Sequence, residues 1–290
     1  MEIFYTRCCG LDVHKSSITA CVRLHEGGGK PRKIVRRFGA MTNDLRAMAS
    51  WLVEEGVTHV AMESTGVYWK PVWNILEGQF TLVLANAQHV KNVPGRKTDT
   101  KDSEWLAELL QHGLLAGSFV PPRLIRDLRD LTRTRATLTQ ESSRIASRIQ
   151  KVLEDANIKL ASVASDALGK SGQAMLAALI AGQRDPEQLA ELALGTLRGK
   201  IPQLRRALDG LIRDHHRFLL ERLLVQWRFV ENEIELIDQR LEQIGKEEPE
   251  IAEAIIRWDT VPGVDRIAAW GLSGRDGHQH GAVPFGAACG

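Results

Sequence analysis

The chain has 290 residues, 43% hydrophobic and 26% charged, with a formal net charge of +2. That length suggests two domains with part of a third, and the apolar share is enough to bury a sizeable core. So even a charge balance excludes arguing nucleic-acid binding from the average, and any basic surface must be local. No apolar run approaches the roughly 20 residues that span a bilayer, and no basic segment leads into an apolar stretch at the N-terminus, so no secretory signal is read and a cytoplasmic protein without membrane contact is expected. The four cysteines, Cys8, Cys9, Cys21 and Cys289, show no CxxC spacing and no histidine partner at zinc-finger distance; buried thiols in a reducing compartment are expected.

In chain order, Arg7–Val13, Ile18–His25 and Lys33–Phe38 read as three strands, with Gly27, Gly28 and Gly29 turning the chain before the third. Short strands joined this way suggest an antiparallel meander. Thr42–Glu55 has helical spacing through Leu45, Met48, Ala49 and Leu52, with Thr42 or Asn43 as cap. A strand over Val57–Glu63, a helix over Trp69–Glu77 and a strand over Phe80–Ala85 follow. Lys91–Thr98 is a polar loop, and a helix starts near Asp99–Asp102 and runs to about His112. The order β-β-β-α-β-α-β-α is that of an α/β RNase H-like domain, a mixed sheet with helices on both faces.

The texture changes after Pro121-Pro122. Leu124, Leu128, Leu131, Arg135, Leu138, Ser142, Ile145, Ile149 and Val152 step by threes and fours along one long helix, a heptad-like seam that Arg135 and Ser142 weaken. A second long pattern runs from Leu204 to Ile244, with breaks between the two at Gly169–Gly172, Asp185-Pro186 and Gly199–Pro202. Two such helices fold back either as an antiparallel coiled coil or within an ordinary bundle. The expected divisions are 1–120 for the α/β domain, 121–248 for an all-α coiled-coil region, 249–271 for the start of a further domain and 272–290 for an irregular tail. From Gly271 onward the chain is rich in Gly, His and Ala without periodicity, a composition that builds no core element.

The chemistry sits in acids at element ends. Asp12 ends the first strand and Glu63 a later one; in an RNase H-like sheet these strands are neighbours, so the two carboxylates meet at one edge. Asp99 and Asp102 are three apart at a helix start and share nearly one helical face. Four gathered carboxylates repel one another unless cations hold them. Two divalent ions about 3.5–4 Å apart neutralise a phosphate, deprotonate its nucleophile and stabilise its leaving oxygen. Mg²⁺, or Mn²⁺ in its place, takes oxygen donors. Taken singly, Asp99 and Asp102 also read as helix-capping acids and Asp12 as a turn residue. Glu63 is harder to set aside, because it closes the apolar run from Val57.

Around these acids, His14 and Lys15 either contact phosphate or are solvated hairpin residues. Tyr68 and Trp69 either stack on an unpaired base or pack in the core. Lys91, Arg96, Lys97 and Lys101 form a basic loop suited to a phosphate backbone, or a solvated one. Gly95-Arg-Lys-Thr98 lacks the glycine spacing of a nucleotide-binding loop. Between Arg123 and Lys151 eight basic residues, Arg133, Arg144 and Arg148 among them, face three acids. This is a nucleic-acid rail or a solvent face with paired charges.

Four stretches together, Gly10-Leu-Asp-Val-His-Lys15, Met62-Glu-Ser-Thr-Gly-Val-Tyr-Trp69, Ala85-Asn-Ala-Gln-His-Val-Lys91 and Gly95-Arg-Lys-Thr-Asp-Thr-Lys-Asp-Ser-Glu-Trp-Leu106, resemble the DEDD transposases of insertion-sequence family one-hundred-and-ten, a group that includes the Piv-type invertases. The resemblance covers Thr6 to about Trp270. It implies a RuvC-like domain whose four acids fall on Asp12, Glu63, Asp99 and Asp102. It implies a coiled-coil region over Pro121–Gly245 used in oligomerisation, as a dimer or tetramer, and in nucleic-acid contact. DNA and a structured bridge RNA that guides recombination are the implied partners. A C-terminal domain with a nucleophilic serine is also implied, and Val261-Pro-Gly-Val264 resembles its start.

After about Gly271 the pattern is lost, so Ser273 is given no catalytic role and 272–290 is expected to be an out-of-frame tail. DNA transposition or site-specific recombination without the serine step is the function expected of this chain. A junction-resolving nuclease and a non-catalytic nucleic-acid-binding scaffold are the rivals.

Overall fold

The structure is a computed structural model that describes residues 2–27, 29–64, 66–86, 90 and 102–273. The chain divides into two compact units, Met1–Val120 and Pro121–Gly290.

The first unit is built on a six-stranded mixed sheet of order β3-β2-β1-β4-β5-β6. Its strands are β1 (Arg7–Val13), β2 (Ser17–Leu24), β3 (Arg32–Gly39), β4 (His59–Glu63), β5 (Thr81–Ala85) and the two-residue β6 (Gly117–Ser118). β1, β2 and β3 pair antiparallel as a meander, and β4 and β5 add parallel on the other side of β1. The arrangement is consistent with an RNase H-like domain. Helices α1 (Thr42–Glu54) and α2 (Trp69–Leu76) cover one face. There Leu11, Ile18, Met48, Leu52, Val60, Met62 and Leu76 form the main core. The period of two along a strand sends alternate residues to the opposite face, where Cys8 and Ala61 meet Leu110 of α3 (Asp102–Gln111). A strand with apolar residues on both faces must lie centrally, which is where β1 and β4 lie.

The second unit is organised by two long helices, α4 (Arg123–Asp155) and α8 (Asp214–Glu247). Arg135 pairs with Asp238, Ser142 with Glu231 and Asp155 with His216. One number rises as the other falls, so the helices run antiparallel. Arg135 Nε and Nη2 grip both Asp238 oxygens at 2.5 and 2.9 Å, and Ser142 Oγ donates to Glu231 Oε1 at 2.5 Å. The two polar residues that weaken the apolar seam in the sequence are therefore cross-helix hydrogen-bonding positions, seven apart on each helix. Helices α5 (Lys170–Ala181), α6 (Pro186–Ala190) and α7 (Ile201–Leu208) pack with the Ile145, Ile149 and Leu153 stretch of α4. At the other end, α9 (Pro249–Asp259) and α10 (Arg266–Ser273) pack with Ile125, Leu128, Leu241 and Ile244.

Three expectations need correction. The pattern from Leu204 to Ile244 is not one helix: α7 ends at Leu208, and α8 begins at Asp214. A Cβ on Gly210 would crowd the Ala156 carbonyl, so the chain passes close against the end of α4 there, and the Leu211 N–H donates to that same carbonyl. The break expected at Gly169–Gly172 is confined to Gly169, the N-cap of α5, while Gly172 lies inside the helix against the Ala167 backbone. Regular structure continues past Gly271 to Ser273, because Trp270 is buried against Gly245, whose lack of a side chain makes room for the indole.

Candidate functional site

The acid-bearing edge is set by strand register. β1 and β4 pair in parallel from Cys8↔His59 to Leu11↔Met62. The next residues along are Asp12 and Glu63, neighbours at the ends of adjacent strands. Leu11 and Met62 belong to the main core, so Asp12 and Glu63 fall on the opposite face by the strand alternation. That is the face covered by α3, whose first residue is Asp102.

Gly10 decides how closely α3 approaches. A Cβ there would overlap the Ala107 backbone nitrogen and the Ser103 backbone oxygen and lie 2.9 Å from Leu106 Cβ. Only glycine lets helix backbone rest on strand backbone at this distance. Along the helix, Glu104 takes Lys33 Nζ at 2.6 Å, Glu108 takes Arg23 Nη1 at 3.4 Å, and Arg23 Nε donates to Gln111 Oε1 at 2.8 Å. These contacts from β2 and β3 fix the helix lengthwise. Leu110 lies near Cys8 and Ser103 near Gly10, so the helix start points toward the Asp12 end of β1. The fold thus carries Asp12, Glu63 and Asp102 to one edge and one face.

The side chains themselves do not form a closed set. Among the described residues, no group of three or more His, Cys, Asp or Glu is disposed to hold a metal ion. Asp12 Oδ2 is 3.2 Å from Nε2 of the exposed His14, and Glu63 and Asp102 each have partners within the fold. Asp99 and the basic residues Lys91, Arg96, Lys97 and Lys101 lie outside the described residues. As a donor set, carboxylate oxygens with an all-oxygen character suit a hard divalent cation; three of the four acids share the edge, and the fourth is not described.

Nearby, Lys15 is exposed in the β1–β2 turn, which the His14 N–H closes on the Ser17 carbonyl at 2.9 Å. Tyr68 is 44% exposed at the start of α2. Trp69 instead packs edge-on against Trp73 with ring centroids 5.8 Å apart and rests against the core, so the pair divides into one surface ring and one half-buried ring. Cys8, Cys9 and Cys21 are buried free thiols. Burial pushes Cys8 up to about 12 and Cys21 up to about 11, and it likewise holds Cys9 well above the ordinary thiol value. Held protonated near neutral pH, none of the three is poised as a thiolate nucleophile.

On α4, Arg133, Arg144 and Arg148 are exposed. At about 100° per residue, Arg126, Arg129, Arg133, Arg144, Arg148 and Lys151 fall within an arc of about 100°, opposite the buried Leu128, Ser142, Ile149 and Leu153. Asp130 and Asp155 are interspersed on the same side. The helix extends to Asp155 and so also includes Glu154, which lowers the excess of positive charge on the whole helix to three.

Sequence reasoning missed Gly10, whose signal was a glycine inside a strand pattern beside an acid. It also missed the clamp residues Arg23 and Lys33, which carry no local signal.

A family model described as a transposase, DEDD_Tnp_IS110, matches residues 9–158. No curated protein matches the chain.

Proposed function

Because the chain belongs to the DEDD transposase family of IS110 elements, a family of DNA transposition and recombination proteins, we propose that it breaks and rejoins phosphodiester bonds with divalent metal ions held by Asp12, Glu63, Asp99 and Asp102. The observation that carries the proposal is the parallel register of β1 and β4. It brings Asp12, next to the last residue of β1, beside Glu63, the last residue of β4, on the face where α3 begins with Asp102. Bound there, two Mg²⁺ or Mn²⁺ ions would neutralise the phosphate and activate the attacking oxygen.

The remaining roles belong to the chain's own groups. His14 restrains the Asp12 carboxylate through Oδ2, as outer-shell partners orient metal-binding acids. Lys15, Lys97 and Lys101 neutralise backbone phosphates beside the acids. The exposed ring of Tyr68 stacks on an unpaired base. The basic face of α4, through Arg133, Arg144 and Arg148, tracks the backbone of DNA or of a structured guide RNA. The antiparallel α4–α8 pair serves as the coiled-coil element through which copies assemble into a dimer or tetramer. The protein works in the cytoplasm; among the described residues no helix is long and apolar enough to cross a membrane.

Strand cleavage and joining on branched DNA with Mg²⁺ or Mn²⁺ tests the proposal. The wild-type chain is compared with Asp12→Asn, Glu63→Gln and Asp102→Asn. A rate reduction of at least about 100-fold in each variant is expected, the scale of removing one transition-state charge stabiliser. Unchanged rates in all three rule the metal site out. Nucleic-acid binding by a wild-type chain that cleaves nothing under any metal condition replaces the proposal with a scaffold.

A further inference from the structure

β3 closes one side of the sheet, and among the described residues no strand pairs with its outer edge. Five of the eight residues from Lys30 to Arg37 are cations and none is an acid; all five cations are exposed. Edge strands commonly carry charge that stops them pairing with other copies. That explains cations on the edge, but not where these stand or how they are held.

Register sets where they stand. Asp12 pairs with Thr19, and Thr19 pairs with Arg37. Directly paired residues share a face, so Arg37 lies in one row with Asp12, on the face that α3 covers. Two strand spacings, about 10 Å, separate their Cα atoms. That is a span of about three phosphates at roughly 3.4 Å apiece along a duplex strand.

The cations differ in their commitments. Lys33 is neutralised by Glu104 of α3. Arg37 has no carboxylate partner among the described residues. Its Nη2 instead donates to Ser17 Oγ at 3.0 Å, and Ser17 is buried. A neutral hydroxyl thus fixes the guanidinium while leaving its charge and four of its five N–H donors for an anion. On the other face of β3 the Arg36 guanidinium lies 4.8 Å from the Trp51 ring, again held without an acid. Arg32 and Lys30 form no ion pair among the described residues, and Asp44, which rests against Gly39, pairs with none of these cations. Guanidinium forks match phosphate oxygens in shape as well as charge.

We infer that the outer edge of β3 is the track along which a DNA strand reaches the acids. Arg37, anchored on Ser17 in the row of Asp12, holds a phosphate about three nucleotides from the one being cut, and Arg36, Arg32 and Lys30 meet phosphates further along. The inference rests on the reading that the Asp12 edge cuts DNA, and it adds the path by which the strand arrives.

The test measures anisotropy of labelled branched DNA with the full chain over a salt series, and cleavage of the same DNA with Mn²⁺. Arg37→Ala, Arg37→Lys and Arg32→Ala probe the track. Arg46→Ala, an exposed cation on α1, is the control. Arg37→Ala is expected to weaken binding about tenfold, the scale of one charge-assisted hydrogen bond, and to lower the slope of log affinity against log salt by about one. Arg37→Lys keeps the slope but recovers only part of the affinity, because it restores the charge without the fork. Arg32→Ala weakens binding less, and Arg46→Ala leaves it unchanged. Neutral methylphosphonates placed singly along the DNA then locate the contact: the position that weakens wild-type binding but not Arg37→Ala binding lies within about three nucleotides of the cut.

Unchanged affinity and slope in Arg37→Ala and Arg32→Ala, with cleavage still lost in Asp12→Asn, overturn the track and leave the metal reading standing. Arg37-dependent binding by a wild-type chain that cleaves nothing supports the track and overturns the cutting reading. A contact a full helical turn or more from the cut overturns the alignment of Arg37 with Asp12. Self-association of Arg37→Ala and Arg32→Ala in light scattering, with DNA affinity unchanged, makes the cations guards of the sheet edge and overturns the proposal, as does an effect confined to RNA oligonucleotides.

Discussion

Replacing Gly10 with alanine tests how the fold places the acids. Ordinary contact begins at 3.4 Å, and the new Cβ would lie 2.9 Å from Leu106 Cβ and closer still to the backbone of Ser103 and Ala107. Helix α3 must therefore retreat by roughly 0.5 Å to clear Leu106, and by about 1 Å to clear backbone that cannot rotate away. Overpacking of this kind costs about 1–3 kcal/mol. The retreat also stretches the Lys33–Glu104 and Arg23–Glu108 pairs and shifts Asp102 relative to Asp12. Metal–oxygen distances tolerate only about 0.2 Å, so a shift of that size costs affinity well beyond the loss of stability. Urea unfolding measures the first effect, and the rise in melting temperature with added Mn²⁺ measures the second, since a ligand that binds only the native state raises its stability with concentration. The expected result is a folded, modestly destabilised protein whose Mn²⁺-induced shift is strongly reduced. A folded Gly10→Ala protein with the wild-type Mn²⁺ response would refute the reasoning that this contact positions Asp102.

Three further outcomes are expected. Asp238→Ala leaves Arg135, whose side chain is 14% exposed, without its bidentate partner and lowers stability by about 1–2 kcal/mol after allowance for solvent at Asp238; the double replacement Arg135→Leu/Asp238→Leu recovers most of it in thermal unfolding, and a double variant as unstable as the single one contradicts this. Cys8 and Cys21 hold their protons in the folded state to about 12 and about 11, while the unfolded chain loses them near 9, so their contribution to stability is complete below pH 9 and is lost between about 9 and 12. Urea midpoints under reducing conditions should therefore fall on going from pH 8 to pH 10.5, less so in Cys21→Ala, and a midpoint independent of pH in that window counts against buried neutral thiols. Tyr68→Ala changes the melting temperature little, because the residue is 44% exposed and lies outside the buried core, but weakens single-stranded oligonucleotide binding by about 1–3 kcal/mol; equal affinity assigns that ring no stacking role.

Alternation along Arg7–Val13 and the apolar run before Glu63 made the central strands legible, because residues in contact with both faces leave a local mark. β6 was illegible: Gly117–Ser118 carries no pattern, and its pairing with Leu84 and Ala85 is a property of the sheet. The same difference explains the helical unit. Arg135 and Ser142 look like flaws in an apolar seam when α4 is read alone. Their partners, Asp238 and Glu231, stand about a hundred residues away, and only the antiparallel register of α4 and α8 brings them opposite. Asp209 and Gly210 interrupted the Leu204–Ile244 pattern, but the apolar spacing on either side masked the stop. For the candidate site, strand ends indicated where Asp12 and Glu63 would lie. Whether carboxylate oxygens converge depends on side-chain torsions and on Asp99, and neither follows from spacing.

Calorimetric titration of Mn²⁺ into the full chain bears most directly on the metal site, with Asp12→Ala and Asp102→Ala titrated alongside after circular dichroism shows both folded. Saturable binding by the wild-type chain, weakened at least tenfold in each variant, is the predicted result. Identical isotherms for all three proteins would contradict it.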